Sequence, residues 1–190
     1  MKFKSKLLIA LVIVLVMALI AVSWYKKTYN GFVILDEGTK SAWSQVENQL
    51  QRRFDLIPNL VNTVKGYAQH EDKVLTAVTE ARSRVGSARS VNEKISANGE
   101  LTSALSRLLV VSENYPDLKA NQNFLDLQAQ LEGTENRIAV ERKRYNDAVM
   151  AYNTAIRGFF EQFVAHSMKL ESKQFFESDK AAQKAPEVKF

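Results

Sequence analysis

No charge occurs between Leu7 and Tyr25, and this run constrains what the chain can become more than any other feature of its 190 residues. It is dominated by Leu, Val, Ile and Ala. As a helix rising 1.5 Å per residue it would reach about 28 Å, close to the roughly 30 Å hydrocarbon core of a bilayer. A helix apolar on every side has no polar face for water and must lie in lipid or deep inside a protein. Its flanks favour lipid: Trp24 and Tyr25 stand where an interfacial aromatic belt belongs, and Lys26 and Lys27 follow at headgroup depth. A secretory signal peptide is the competing reading, since Lys2, Lys4 and Lys6 make a basic leading segment and Val16-Met17-Ala18 resembles a cleavage site. The apolar stretch, however, outlasts the usual run of about 7 to 15 residues and passes that site without turning polar. The sequence therefore predicts a basic tail over 1–6 and an uncleaved transmembrane anchor over 7–25. Three lysines and the terminal amine precede the span and two lysines follow it, so the positive-inside rule predicts a cytoplasmic N-terminus and an exported domain.

Beyond the anchor some 165 residues remain, enough for one domain that buries its own core without metal or disulfide. There is no cysteine to indicate a redox compartment. The formal charge of +5 suggests nucleic acid until it is located. Lys2, Lys4 and Lys6 supply three of the 26 basic residues, leaving 23 against 21 acidic ones. The domain is nearly neutral, and its charges alternate in sign along the chain, which excludes a phosphate-binding stripe and with it a nucleic-acid partner.

The fold class read from the pattern is all-α: the transmembrane helix, then a long antiparallel helical bundle over 26–177 and a polar flexible tail over 178–190. Trp43, Val46, Leu50, Phe54, Ile57, Val61, Val64 and Ala68 recur at threes and fours along one helical face. Pro58 predicts a kink or short break at Asp55-Leu56-Ile57-Pro58. A second helix is expected from about Glu71 to Ser87 with Val74, Val78, Ala81 and Val85 inward. A third is expected from Asn92 or Asn98, with Leu101, Leu105, Leu108 and Leu109 apolar, ending before Tyr115-Pro116. The fourth carries the strongest period. Phe124, Leu131, Ile138, Tyr145, Tyr152 and Phe159 stand seven apart, the seam of a bundle or coiled-coil-like hairpin, with Asp117 as its expected N-cap.

No constellation points to catalysis, and the expected catalytic, cofactor-binding and metal-ligating residues are none. His70 and His166 lack a second ligand at helical spacing, and no serine sits in a Gly-x-Ser-x-Gly elbow. Glu132, Glu135 and Glu141 lack the histidines a carboxylate di-metal bundle requires. Thr134 and Glu141 fall beside the seam with Arg137 and Arg142 flanking, which predicts charge pairing inside the bundle, with Arg52, Arg53 or Asp55 as partners. Tyr-Asn recurs at Tyr29-Asn30, Tyr145-Asn146 and Tyr152-Asn153. Asparagine loses helix propensity there, so these side chains are expected to bond across the bundle to backbone or a neighbouring side chain. Phe160, Phe163, Phe175 and Phe176 exceed what one helix face buries easily, and the tail holding them is read as a cap on the bundle, a protein interface or a lipid contact.

Several separate segments together resemble the LemA family: Tyr29-Asn30; Trp43-Ser44-Gln45-Val46 running into Gln49-Leu50-Gln51-Arg52-Arg53; Asp55-Leu56-Ile57-Pro58-Asn59-Leu60-Val61; Tyr115-Pro116-Asp117-Leu118-Lys119-Ala120; Thr134-Glu135-Asn136-Arg137-Ile138-Ala139; and Arg144-Tyr145-Asn146. The resemblance spans about residues 7 to 177. It implies a bacterial inner-membrane protein with one N-terminal span and an antiparallel helical bundle, of a family without a settled biochemical activity. Two departures stand out: Glu141-Arg142 where relatives commonly have Ala-Arg, and Phe159-Phe160 where they have Phe-Pro, which removes a helix breaker.

The function expected from these readings is that of a non-enzymatic, membrane-anchored module in cell-envelope protein interaction or organisation. Its expected partners are the lipid bilayer and other envelope proteins or a second copy of itself. A lipid-facing membrane-surface module and a regulatory subunit of a membrane protease or sensor complex are the alternatives.

Overall fold

In the computed structural model, residues 2–68 and 70–177 are described, with side chains from Lys6 onward; the polar tail expected over 178–190 lies outside the described residues. Six helices and no strand occur among them: α1 (Lys2–Lys65), α2 (Asp72–Ser87), α3 (Val91–Ser112), α4 (Pro116–Lys119), α5 (Gln122–Ile156) and α6 (Glu161–Ser167). The chain falls into two compact units. Unit 1 takes the described residues up to Ser41 with Asp147–Lys173, and unit 2 takes Ala42–Asn146 with the described residues from Gln174.

Unit 2 is an up-down-up-down arrangement of α1, α2, α3 and α5. Trp43 meets Tyr145 and Arg53 meets Glu135, so α1 and α5 run antiparallel. Arg82 reaches Phe54 across the turn between α1 and α2, Arg84 pairs with Glu100 across the turn between α2 and α3, and Lys94 pairs with Glu47. Ile57, Leu60 and Val64 of α1, Leu75 and Val78 of α2, Leu101, Leu105 and Leu108 of α3, Leu118 of α4, and Phe124 and Leu131 of α5 form one core. Burying such side chains contributes about 1.5 to 3 kcal/mol each.

The expected break at Pro58 does not occur: α1 is helical through it. Proline has no N–H for the Phe54 carbonyl four residues back. That carbonyl instead accepts a hydrogen bond from Arg82 Nε at 3.2 Å, while the Arg82 guanidinium stacks 3.9 Å from the Phe54 ring centroid. A neighbouring helix thus satisfies the group the proline orphans. Asp117 is not the cap of the long helix either. Pro116–Lys119 is a separate turn, and Asn121 Oδ1 accepts the Phe124 N–H at 3.0 Å, which makes Asn121 the N-cap of α5. The third helix begins at Val91, earlier than expected, because Ser90 and Glu93 form a reciprocal capping box.

Unit 1 buries Phe32 of α1, Tyr152 and Ile156 of α5, and Val164 and Ala165 of α6. The apolar seam of α5 holds through Tyr152 but not at Phe159, which is 73% exposed. The helix has ended at Ile156, and Ile156 takes the inward place. Lys169, with φ 54°, closes α6 in the left-handed conformation. The Lys169 N–H bonds His166 O and the Leu170 N–H bonds Ala165 O, both at 3.0 Å, as in a Schellman turn. From Leu170 to Glu177 the chain has no helix.

Candidate functional site

Two polar arrangements stand out against these apolar cores. The first is in unit 2, where Arg53 lies on the buried stripe of α1 between Val46, Leu50, Ile57 and Leu60 and is 4% exposed. Its Nη1 donates to Asn98 Oδ1 at 3.3 Å and to Thr102 Oγ1 at 3.0 Å, and lies 2.7 Å from Glu135 Oε2. The Glu135 contact is an ion pair whose angles fall short of a hydrogen bond. Among the described residues, Arg53 Nε and Gln49 Oε1 are buried without a hydrogen-bond partner. Burial pushes the Arg53 guanidinium below its ordinary range, and the Glu135 carboxylate opposes that shift. Desolvation offsets much of the attraction in a buried charge of this kind, so losing a partner costs more than the intact contact contributes.

Of the three partners expected for the bundle charges, only Arg53 crosses to α5, and it reaches Glu135, not Glu141. Glu141 pairs with Arg144 on its own helix at 2.7 Å, Gln51 donates to Asp55 within α1, and buried Thr134 donates to Leu131 O at 2.7 Å. Arg53 had a visible signal: with Val46 and Leu60 it makes a seven-residue repeat on the buried face.

The second arrangement uses the asparagines of two of the three Tyr-Asn pairs, Asn146 and Asn153, whereas Asn30 is exposed on α1. In unit 2, Asn146 Nδ2 donates to Phe176 O at 3.0 Å and its Oδ1 accepts the Phe176 N–H at 2.8 Å. Tyr145 OH donates to Gln174 O at 3.1 Å, and Trp43 packs against both Tyr145 and Phe176. In unit 1, Asn153 grips Lys173 the same way, its Nδ2 donating to Lys173 O and its Oδ1 accepting the Lys173 N–H, both at 2.8 Å. Lys173 Nζ lies 2.6 Å from Asp36 Oδ1 and 4.9 Å from the Tyr152 ring centroid. Each asparagine presents one acceptor and one donor to a peptide unit, as a neighbouring strand would. The asparagines stand seven apart in the sequence of α5 and their targets three apart in the non-helical segment after α6.

Of the four phenylalanines singled out, Phe176 is buried in unit 2, whereas Phe160, Phe163 and Phe175 are exposed. His70 is exposed at the junction before α2.

The fold defines a class, a helical bundle protein led by a helix long and apolar enough to cross a membrane. The sequence pattern of the LemA family matches residues 42–190, and the chain belongs to that family. The matched region starts beside Trp43, leaving the apolar run and Tyr29-Asn30 outside it. Two magnetosome proteins of Paramagnetospirillum magneticum, MamQ 1 and MamQ 2, are each 26% identical over 90% of this chain and 73% of their own length. Protein LemA of Metamycoplasma hominis is 23% identical over 73% of this chain and 64% of its own.

Proposed function

We propose that the chain is a non-enzymatic, membrane-anchored helical module that serves in protein interaction or organisation at the cell envelope. The observation that carries the reading is the contrast along α1. Leu7, Leu11, Leu15 and Leu19 lie uncovered, Leu11 at 66%, on a stretch with no polar side. Water does not tolerate such a surface, and hydrocarbon does. The rest of the chain spends its polar side chains on holding helices and an extended segment in place, the work of a module that presents a shape. That its relatives include magnetosome proteins supports a part in organising a cellular structure.

The charge balance around the anchor supports a cytoplasmic N-terminus with the bundle on the other side of the membrane. A phosphatase reporter fused after Phe190 is expected to be active only when exported. Strong activity of a cytoplasm-dependent reporter at the same position would overturn the orientation. An N-terminus found at Leu19 or Val22 in the mature protein would overturn the anchor itself.

A further inference from the structure

In unit 1 the turn between α5 and α6 and the first turn of α6 leave three aromatic rings open, Phe159, Phe160 at 62% and Phe163 at 68% exposure. With roughly 200 Å² per side chain, about 400 Å² of apolar surface is uncovered, the scale that marks a contact surface. Val164 and Ala165 of the same short helix are buried against Phe32, Tyr152 and Ile156. Alongside the polar Gln162 and His166, this helix turns Phe163 outward.

Its position says what covers it. The Phe160 ring meets Trp24 edge-on at 6.4 Å, and Phe159 packs on Phe160 at 5.0 Å. At the far end of α6, Ser167 Oγ lies 3.1 Å from Tyr25 OH. Both ends of α6 therefore contact neighbouring residues of α1. A seven-residue helix is about 10 Å long and, laid along α1, its ends would meet residues about seven apart. Instead α6 crosses α1 at the level of Trp24 and Tyr25, the residues that close the uncharged run. With that run in hydrocarbon, α6 lies in the plane where the acyl chains meet the headgroups, at the depth aromatic side chains prefer.

We infer that Phe159, Phe160 and Phe163 insert into this boundary of the bilayer and give the chain a second membrane contact beside its anchor. The patch is continuous with the anchor's own apolar surface through Trp24, which selects lipid over a second protein as its occupant. This rests on the membrane-anchored reading above. Lys26 and Lys27 follow Tyr25 and are exposed, as suits a segment leaving the headgroups.

The test uses the full chain in nanodiscs of phosphatidylcholine and phosphatidylglycerol carrying lipid spin-labelled near the headgroup. One variant, Trp43→Phe, leaves Trp24 as the only fluorophore of its kind. A second adds Trp24→Phe and Phe163→Trp. A third adds Trp24→Phe and Val110→Trp, at an exposed position of α3 in unit 2. Several-fold stronger quenching at position 163 than at 110, comparable with that of Trp24, is expected. If Trp24 is quenched and position 163 behaves like 110, the inference fails and the anchor stands. If Trp24 is not quenched either, the anchor fails and takes the inference with it. Emission at 163 that ignores the spin label but shifts blue with protein concentration would assign the patch to a protein contact and overturn the lipid assignment.

Discussion

Two stretches of α1 distribute their apolar residues differently and meet opposite fates. From Leu7 to Tyr25 every side of the helix is apolar and exposed, whereas from Val46 to Val64 the apolar residues form one stripe, with Val46, Leu50, Ile57, Leu60 and Val64 buried and Gln, Arg, Asp and Asn on the other faces. How far apolar residues extend around the axis separates the two fates. A stripe can be covered by three neighbouring helices. A cylinder apolar all round needs a medium.

The strongest way to break this comparison is to put a carboxylate on each surface. Ile138→Asp on α5 places it in the interior that receives the α1 stripe and is expected to destabilise the bundle by about 4 kcal/mol or more, since a buried carboxyl must find a proton or open the structure. Leu15→Asp in detergent should leave bundle unfolding within about 0.5 kcal/mol of the parent. Urea unfolding followed by helical circular dichroism checks both. Equal losses at the two positions would mean the apolar run is part of the folded core.

A smaller effect concerns how the buried stripe survives its proline. Arg82→Ala removes the donor to the Phe54 carbonyl and the stacked cation, and should cost about 1 to 3 kcal/mol. Pro58→Ala supplies a backbone N–H to the same carbonyl, so in that background Arg82→Ala should cost clearly less. Strict additivity of the two substitutions in the unfolding midpoint would show that Arg82 does not stand in for the missing bond.

These cases also show which parts of the fold are legible in the sequence. Local periodicity carries the helices, because burial of one face repeats every three to four residues whatever packs on it. The destiny of Asn146 and Asn153 was legible as well, since a mid-helix amide must repay its poor propensity with bonds to backbone, but Asn30 of the first Tyr-Asn pair stays exposed on α1. The segment they grip was not. Leu170 to Phe176 is extended, too short for a period, and owes its place to amides some 20 and 30 residues away. Pro58 misled for the opposite reason: its local preference is real, but Arg82 answers it from another helix. Phe159 continued a seven-residue count past Arg157-Gly158, where the helix had already stopped. Arg53 sat in plain view at a seam position, yet its use of Asn98, Thr102 and Glu135 depends on two other helices.

The finest distinction lies within the hold on Lys173, where a charged contact and an uncharged one act on the same residue. Burial alone would raise the Asp36 carboxyl, but hydrogen bonds from Lys173 and Lys40 outweigh it and hold the group below its usual range. A carboxyl whose folded pKa is depressed contributes stability that is full above its unfolded value, about 4, and is lost as pH falls through the lower folded value. The Asn153 amide does not titrate, so its bonds to Lys173 persist through that range. Protection from hydrogen exchange at residues 170–174, measured against the intrinsic rate at each pH, should therefore fall as the pH drops from about 4 while the middle of α5 stays protected, by an amount worth about 1 kcal/mol or less for a partly exposed pair. Asp36→Asn should lower protection at neutral pH and flatten its acid dependence, whereas Asn153→Ala should lower it at every pH and leave that dependence in place. Undiminished acid sensitivity in Asp36→Asn would assign the titration to another carboxyl and leave the asparagine as the main hold on the segment.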